Sequence, residues 1–324
     1  MDKLLTIVVP TYNMERYLNR CLDSLLLTEK SLFSLLQVII VNDGSKDNSL
    51  QIALDYKKSY PNVFEVVDKS NGNYGSCINI GIKLAAGKYF RILDADDWFD
   101  SEQLALFLKK IDFKENIDIL FTNYTVQSNK KQFVCSENVE YEKKYAINDF
   151  DFASTHNQLM FRMHSMTFQT ELLRKCNLTL QEGISYTDTE YCFYPFCAAN
   201  NMMFFNVNLY QYFIGREGQT VSKDSVIKNF DHFYKVGKRM LYNYLQNKNL
   251  SVNKRNSLAN FISNALYYIY CVAIIYKRGR SPEYINILKE IDNLVRKEET
   301  LNREIIKLTY KKIPFIKFWR YLSR

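Results

Sequence analysis

Apolar and polar positions come in short alternating blocks over the first hundred residues. Leu4 to Val9 is a β-branched apolar run closed by Pro10, and it predicts a buried strand that delivers Thr11, Tyr12 and Asn13 to a loop. Glu15 to Leu27 then sets Tyr17, Leu18, Cys21, Leu25 and Leu26 on one helical face. "LQVIIVNDGSKDNS" repeats the plan: a strand over Val38 to Val41, a polar loop, and a helix entered near Asp47 or Asn48 that runs to about Tyr60. A candidate strand at Val63 to Val67 follows, then a Gly/Asn loop at Ser70 to Gly75 and a helix from Ser76 to Ala86 broken by Gly87. "YFRILDADDW" is the next strand.

Strands alternating with helices at this spacing predict an α/β fold with crossover connections and a mainly parallel, Rossmann-like sheet flanked by helices. Ligands of such sheets bind beyond the carboxyl ends of the strands. The polar clusters Thr11/Tyr12/Asn13, Asp43/Gly44/Ser45 and Asp94/Ala95/Asp96/Asp97 all follow strands there, and are expected to meet at one site. A helix over Ser101 to Lys110 and a strand over Asp118 to Tyr124 continue the domain. Residues 125 to 180 predict only a hairpin near Lys130 to Val139 and a helix from Gln169 to Lys175. "GISYTDTEYCFYPFCAANN" reads as a loop entering a helix with Asp188 and Glu190 near its start. From Ser225 onward the pattern is helical, so the expected organisation is a domain over residues 1–222 and a basic helical region over 223–324.

Composition adds little about the fold but sharpens the chemistry. With 47% apolar and 24% charged residues the chain reads as ordered and globular. Its seven cysteines are scattered, with no zinc-type or CxxC spacing, and are expected to be reduced thiols in a cytoplasmic protein. No signal peptide is expected, because the first apolar run is short and is cut by Pro10. The net charge of +8 is unevenly placed: residues 226–324 carry 20 Lys and Arg against 7 Asp and Glu.

Asp94, Asp96 and Asp97 fall within four positions, with no basic residue among them. Carboxylates at the mouth of a sheet need pairing, hydrogen bonds or a metal, since desolvating them is costly. A hard cation such as Mg²⁺ or Mn²⁺ is the natural counter-charge, and such ions are commonly shared with substrate phosphates. That points to a nucleotide diphosphate.

In this order, "VVPTYNMERYLNRCLDSLL", "VIIVNDGSKDNS", "GNYGSCINIGIKLAAGKY" and "RILDADDWF" resemble the successive blocks of the family 2 glycosyltransferases of GT-A fold, including those of bacterial capsule and cell-surface polysaccharide synthesis. The likeness is close over residues 5 to about 100 and looser through "YTDTEY" and "IGREGQTVS". It implies transfer of a sugar from a nucleotide-sugar donor, with inversion, to a glycan or lipid-linked acceptor. By position, Pro10, Thr11, Tyr12 and Asn13 would frame the nucleotide and Asp43 would bind its base, usually uracil. Gly75 would lie in the nucleotide loop. Asp94 would lie toward the ribose, Asp96 would ligate Mn²⁺ or Mg²⁺ as part of the DxD element, and Arg216 would contact the diphosphate. Asp188 matches the catalytic base.

Two positions depart from the family pattern. Thr187 stands where an acidic residue often precedes the base, which leaves Glu190 as an alternative to Asp188. Ile78 stands where an Arg often precedes the asparagine, Asn79 here, so a donor contact of the family is either absent or supplied by another residue such as Lys69 or Arg91.

Plainer readings stand beside these. Asp97 reads as structural; Asp43 could be a turn residue, Asp188 an ordinary helix-start acid, and Gly72 and Gly75 plain loop glycines. His164 fits either a core position or an acceptor or metal contact. The apolar run "SLANFISNALYYIYCVAIIYKRGR" is expected to pack as a helix inside the protein, with a transmembrane span as the alternative. "IIKLTYKKIPFIKFWRYLSR" interleaves basic and aromatic residues, which suits either an anionic bilayer surface, placing the protein peripherally on the inner face of the cell membrane, or a tail helix docked on the domain. No recognition motif supports nucleic acid. A non-catalytic nucleotide-sugar-binding or scaffolding subunit is the rival function. A sugar nucleotidylyltransferase fits less well, because "PTYNMERY" replaces the Gly-rich loop it requires.

Overall fold

A computed structural model describes residues 3–111, 115–128, 131–152, 155, 159, 161–215, 223–276 and 281–322. The chain divides into two compact units, Met1–Arg216 and Glu217–Arg324.

In the first unit the elements follow the order β1 (Leu5–Thr11), α1 (Leu18–Asp23), α2 (Lys30–Phe33), β2 (Leu36–Asn42), α3 (Ser49–Ser59), β3 (Phe64–Asp68), α4 (Asn73–Leu84), β4 (Tyr89–Ile92), β5 (Trp98–Phe99) and α5 (Ser101–Lys110). The chain continues through β6 (Ile119–Ser128), β7 (Gln132–Cys135), β8 (Lys144–Ala146), β9 (Met166–Gln169), α6 (Thr170–Lys175), α7 (Asp188–Ala198) and β10 (Asn201–Ile214). β1 and β2 are buried on both faces, as a parallel sheet covered by helices requires. Gly81 allows α4 to lie directly on β1, since a Cβ there would come within 2.4 Å of a Val8 methyl. The Asp100 carboxylate caps α5 by accepting the Glu102 and Gln103 N–H groups at 3.1 and 3.0 Å.

The main sheet path among the described residues is β3-β2-β1-β4-β9-β6-β10-β5, with β7 added on β6 and β8 on β10. β3, β2, β1 and β4 run parallel. β9 enters antiparallel between β4 and β6, and β10 is parallel to β6, so the sheet is mixed. Neither β9 nor β10 was among the strands expected from the pattern. β9 is only four residues long, and register shifts between Phe205 and Tyr210 interrupt the alternation of β10.

α1 is shorter than the expected helix from Glu15 to Leu27. The Met14 N–H donates to Ser49 Oγ at 2.7 Å and the Glu15 N–H to Asp47 Oδ2 at 3.0 Å, so these groups tie the first loop to the second instead of facing an open helix end.

The second unit holds α8 (Lys223–Lys228), α9 (Phe230–Gln246), α10 (Val252–Tyr270), α11 (Pro282–Arg296), α12 (Glu299–Lys307) and α13 (Phe315–Leu322). α10 runs on as a π-helical turn over Cys271–Ile275. The combined stretch Val252–Ile275, whose most apolar 18 residues have a mean hydropathy of 1.6, is long and apolar enough to cross a membrane. Leu258, Ile262, Leu266 and Ile269 are nevertheless fully buried, and the helix packs on α9 and α12.

Candidate active site

Three consecutive residues in the first turn of α4 each touch a different loop at the carboxyl ends of the strands. The Tyr74 hydroxyl donates to Asp94 Oδ1 at 2.9 Å. Ser76 Oγ accepts from Lys69 Nζ at 2.9 Å, and Lys69 also binds Asp43 Oδ1. Gly75 faces Gln181 so closely that a Cβ would lie 2.2 Å from its carbonyl oxygen. One helical turn thereby gathers the loops carrying Asp43, the acidic triplet and the segment before Asp188.

Asp43 is buried at the end of β2. Its Oδ1 accepts the Gly72 N–H at 2.8 Å as well as the Lys69 ammonium, and Asn71 Nδ2 donates to its backbone carbonyl at 3.0 Å. These contacts aim the carboxylate before any ligand arrives. Thr11 is buried beside it and its carbonyl accepts the Asp43 N–H at 2.8 Å, whereas Tyr12 is 44% exposed. Asn13 adopts a left-handed φ of 54° and binds the second loop twice: its N–H donates to Ser45 Oγ at 3.1 Å, and its Oδ1 accepts the Lys46 N–H at 2.7 Å. Pro10, half-buried, is the penultimate residue of β1.

The acidic triplet divides by its surroundings. Asp97 is buried and accepts the Tyr210 hydroxyl and the Phe213 N–H, both at 2.7 Å. Burial, followed by the charges of Asp94 and Asp96, pushes its carboxyl above the usual range. The Asp94 N–H donates to the same Tyr210 hydroxyl at 3.2 Å. The Asp96 carbonyl is held by Arg20 Nη2 at 2.7 Å, and the Arg20 guanidinium lies 3.9 Å over the Trp98 ring. His164 stacks on Tyr212 with ring centroids 4.1 Å apart. Its ring nitrogen and one carboxylate oxygen from each of Asp94 and Asp97 lie within 4.8 Å of one another. Burial, then Arg162 and Arg91, depress its pKa to about 3, so the imidazole is neutral.

Asp188 is half-buried at the first turn of α7. Burial raises its pKa, while the N–H groups of Thr189 and its own backbone, and the nearby Arg162, pull it back down. The Tyr212 phenol is pushed up to about 12 by burial and then by Asp97, Asp94, Asp96 and Asp188. Glu190 is placed differently: it is fully buried and bound to Gln181 through both oxygens.

The contact left open by Ile78 is not supplied by Arg91. That guanidinium is fully buried under the sheet, where it donates to Thr167 Oγ1 at 2.8 Å and Thr122 Oγ1 at 3.0 Å, and burial lowers its pKa to about 10. Lys69 does lie at the rim, already paired with Asp43. Arg216 lies outside the described residues. Tyr74, Tyr210, Tyr212, Arg20 and Arg162 border the site but were not singled out in the sequence. Tyrosine carries no motif there, and in Arg20 only a basic residue on the first helix hinted at a role. The seven cysteines are free thiols.

A cleft of aspartates at the carboxyl ends of strands, on a mixed sheet flanked by helices, defines a protein of the GT-A class. The profile of "Glycosyl transferase family 2" matches residues 6–175, and the chain belongs to that family. An uncharacterised glycosyltransferase of Mycoplasma pneumoniae, the MG025 homolog, is 47% identical over 98 residues, which are 30% of this chain and 32% of that one. The uncharacterised glycosyltransferase EpsJ of Bacillus subtilis is 27% identical over 216 residues, covering 65% of this chain and 61% of EpsJ. The chain thus matches between a third and three fifths of the length of these relatives. The crystal structure of S. aureus TarS 1-349 in complex with UDP-GlcNAc superposes with a TM-score of 0.67 at 20% identity, covering 94% of this chain and 84% of that one. The mannosyltransferase PcManGT from Pyrobaculum calidifontis, in complex with GDP-Man and Mn²⁺, superposes with a TM-score of 0.51 at 13% identity, covering 94% and 86%.

Proposed function

We propose that this glycosyltransferase moves a sugar from a UDP-sugar to a hydroxyl of a glycan or lipid-linked glycan, with inversion, in cell-surface polysaccharide synthesis. The observation that carries this reading is the first turn of α4, which binds the Asp94 loop through Tyr74, the Asp43 loop through Ser76 and Lys69, and the segment before Asp188 through Gly75 against Gln181. On this reading the acids that would hold the leaving diphosphate and the acid that would activate the acceptor work side by side. The nucleotide-sugar complexes of TarS and PcManGT support the same donor class here.

In this reading Thr11, Tyr12 and Asn13 frame the nucleotide and the pre-aimed Asp43 binds its base. Asp188 takes the proton of the acceptor hydroxyl as that oxygen attacks the anomeric carbon. The bond from that carbon to the diphosphate breaks, and its electron pair leaves with the phosphate oxygen. Burial makes Asp188 a stronger base than a solvated carboxylate, and general-base catalysis typically contributes ~10²- to 10⁴-fold. Lining up donor and acceptor supplies much of the rest.

The donor set fits a divalent ion: oxygen ligands from adjacent aspartates with a neutral imidazole beside them suit Mn²⁺ or Mg²⁺. Asp96, the ligand that the family resemblance implies, would hold it beside Asp94, whose carboxylate lies in the cluster with Asp97 and His164. Such an ion would supply charge neutralisation to the departing diphosphate.

The test is a panel of nucleotide sugars offered to the purified chain with Mn²⁺, read by release of free nucleotide. Turnover of a UDP-sugar that is lost in Asp188→Asn while donor binding persists is the expected result. Donor binding with no turnover by the unmodified protein, toward any acceptor offered, would instead identify a nucleotide-sugar-binding subunit.

A further inference from the structure

The last helix of the second unit is held in one rotational setting by a buried acid. Asp292 on α11 is 2% exposed and accepts the Tyr270 hydroxyl at 2.8 Å and Arg296 Nε at 2.7 Å. It also takes Arg320 of α13, at 2.5 Å from Nη2 and 2.9 Å from Nε, while Arg320 Nη1 donates to Asn302 Oδ1 at 2.7 Å. Phe315 and Ile316 are buried on the same side, and the Trp319 ring meets Tyr270 edge-on at 6.4 Å. Two residues that the sequence pattern counted toward a basic, aromatic surface, Trp319 and Arg320, therefore turn inward.

What remains outside is a narrower face. Phe318, Tyr321 and Leu322 are 59%, 76% and 81% exposed, and they recur at the i, i+3, i+4 spacing of one helical stripe. The turn ahead of the helix adds to it. Tyr310 and Ile313 exchange backbone hydrogen bonds at 2.9 and 3.0 Å, and Lys311 and Lys312 between them both adopt left-handed φ, 48° and 67°, the geometry of a tight two-residue turn. Both lysines and Ile313 are exposed, as is Lys317 on the helix. Among the described residues none of the three lysines takes part in an ion pair.

We propose that Lys311, Lys312, Ile313, Lys317, Phe318, Tyr321 and Leu322 form a docking face for an anionic phospholipid bilayer. Charge complementarity selects this occupant. Unpaired ammonium groups beside exposed Phe, Leu and Tyr match a surface of lipid phosphates over an apolar boundary, where the ring hydroxyl stays at headgroup depth. The Asp292–Arg320 contact anchors the opposite side of α13, which leaves the apolar stripe facing outward. The proposal rests on the lipid-linked acceptor of the proposed reaction for its setting. Its assay contains no donor sugar, so the failure of either leaves the other standing.

The experiment is co-sedimentation of the full chain with vesicles of phosphatidylcholine alone, or of phosphatidylcholine mixed equally with phosphatidylglycerol. Binding to the anionic vesicles, and its weakening as salt rises, is the expected result. K311E/K312E/K317E should weaken that binding by about a hundredfold or more, at about fivefold per lysine removed from an anionic surface. F318S/L322S keeps every charge and should weaken it by about tenfold or more. K57E/K58E on α3 should bind as the unmodified chain does. The altered side chains are all exposed, so each variant should keep the parent unfolding temperature. The proposal is overturned if the unmodified chain stays in the supernatant with both vesicles, or if the lysine reversals bind equally well. It is also overturned if the chain proves to be a dimer that F318S/L322S converts to a monomer without any vesicle binding, which would assign the face to a second copy.

Discussion

Glu190 holds Gln181 with both carboxylate oxygens, 3.0 Å from its backbone N–H and 2.9 Å from its side-chain amide. Gln181 in turn presents the carbonyl against which Gly75 of α4 packs. Two acids two positions apart in one helical turn thus do different work: Glu190 braces the loop and Asp188 is left at the cleft. The proposed reaction accordingly takes Asp188 as its base.

Asp188→Asn should lower kcat/KM by ~10²- to 10⁴-fold with donor affinity unchanged, measured by nucleotide release and by calorimetric titration. Glu190→Gln should instead lower stability. One of its two contacts is lost inside the protein, at a cost of about 1–3 kcal/mol, while the shape of the pH–rate profile is kept.

The raised pKa of Asp188 has a sign that stability measurements can read. The folded state binds this proton more tightly than the unfolded chain, so the ionised group opposes folding above its folded pKa. That burden lifts as pH falls through the folded pKa toward the ordinary value of 3.8. Asp188→Asn should therefore raise the unfolding temperature at neutral pH, and the difference from the parent should close as the solution is acidified. A variant no more stable than the parent at pH 7 would contradict the desolvation assigned to this group.

Arg162 pulls the Asp188 pKa down from a neighbouring loop. Replacing it with Gln should move the acidic limb of kcat/KM to higher pH, so that activity falls more at pH 6 than at pH 8. Arg162→Lys should restore the limb. A uniform loss at all pH values would mark Arg162 as a binding residue instead.

Gly75→Ala must push the first turn of α4 away from Gln181, because the new Cβ meets backbone and not a flexible side chain. Overpacking of this kind costs about 1–3 kcal/mol, to be read from the urea midpoint. Donor affinity should fall as well, since the same turn carries Tyr74 and Ser76.

Asp292→Ala would strand Arg320 against the second unit. Removing one partner of a buried pair costs about 3 kcal/mol or more, and trypsin should then cut at Lys311, Lys312 and Lys317 faster than in the parent. Unchanged cleavage would show that Phe315 and Ile316 hold α13 without the ion pair.

The β-branched runs closed by Pro10, Asn42 and Leu93 already placed Thr11, Asp43 and Asp94 at strand ends, because strand length and loop chemistry are local properties of a chain. The helix expected over Ser101 to Lys110 is α5, for the same reason. β9 and β10 escaped that reading. A four-residue strand is too short to show a period, and a bulge between Phe205 and Tyr210 disrupts one.

The sequence by itself determined which residue types stand at the rim of the sheet and in what order, and so the family. Only the tertiary structure decided which of them are spent. Asp97 is engaged by Tyr210 and Phe213, more than a hundred residues away along the chain, Arg91 is enclosed by β6 and β9, and Arg320 is drawn inward by Asp292. The physical reason is that a hydrogen bond or ion pair depends on distance in space. Composition and periodicity report only on neighbours along the chain, whereas the partners that occupy or spare a carboxylate arrive from elements the fold alone brings together.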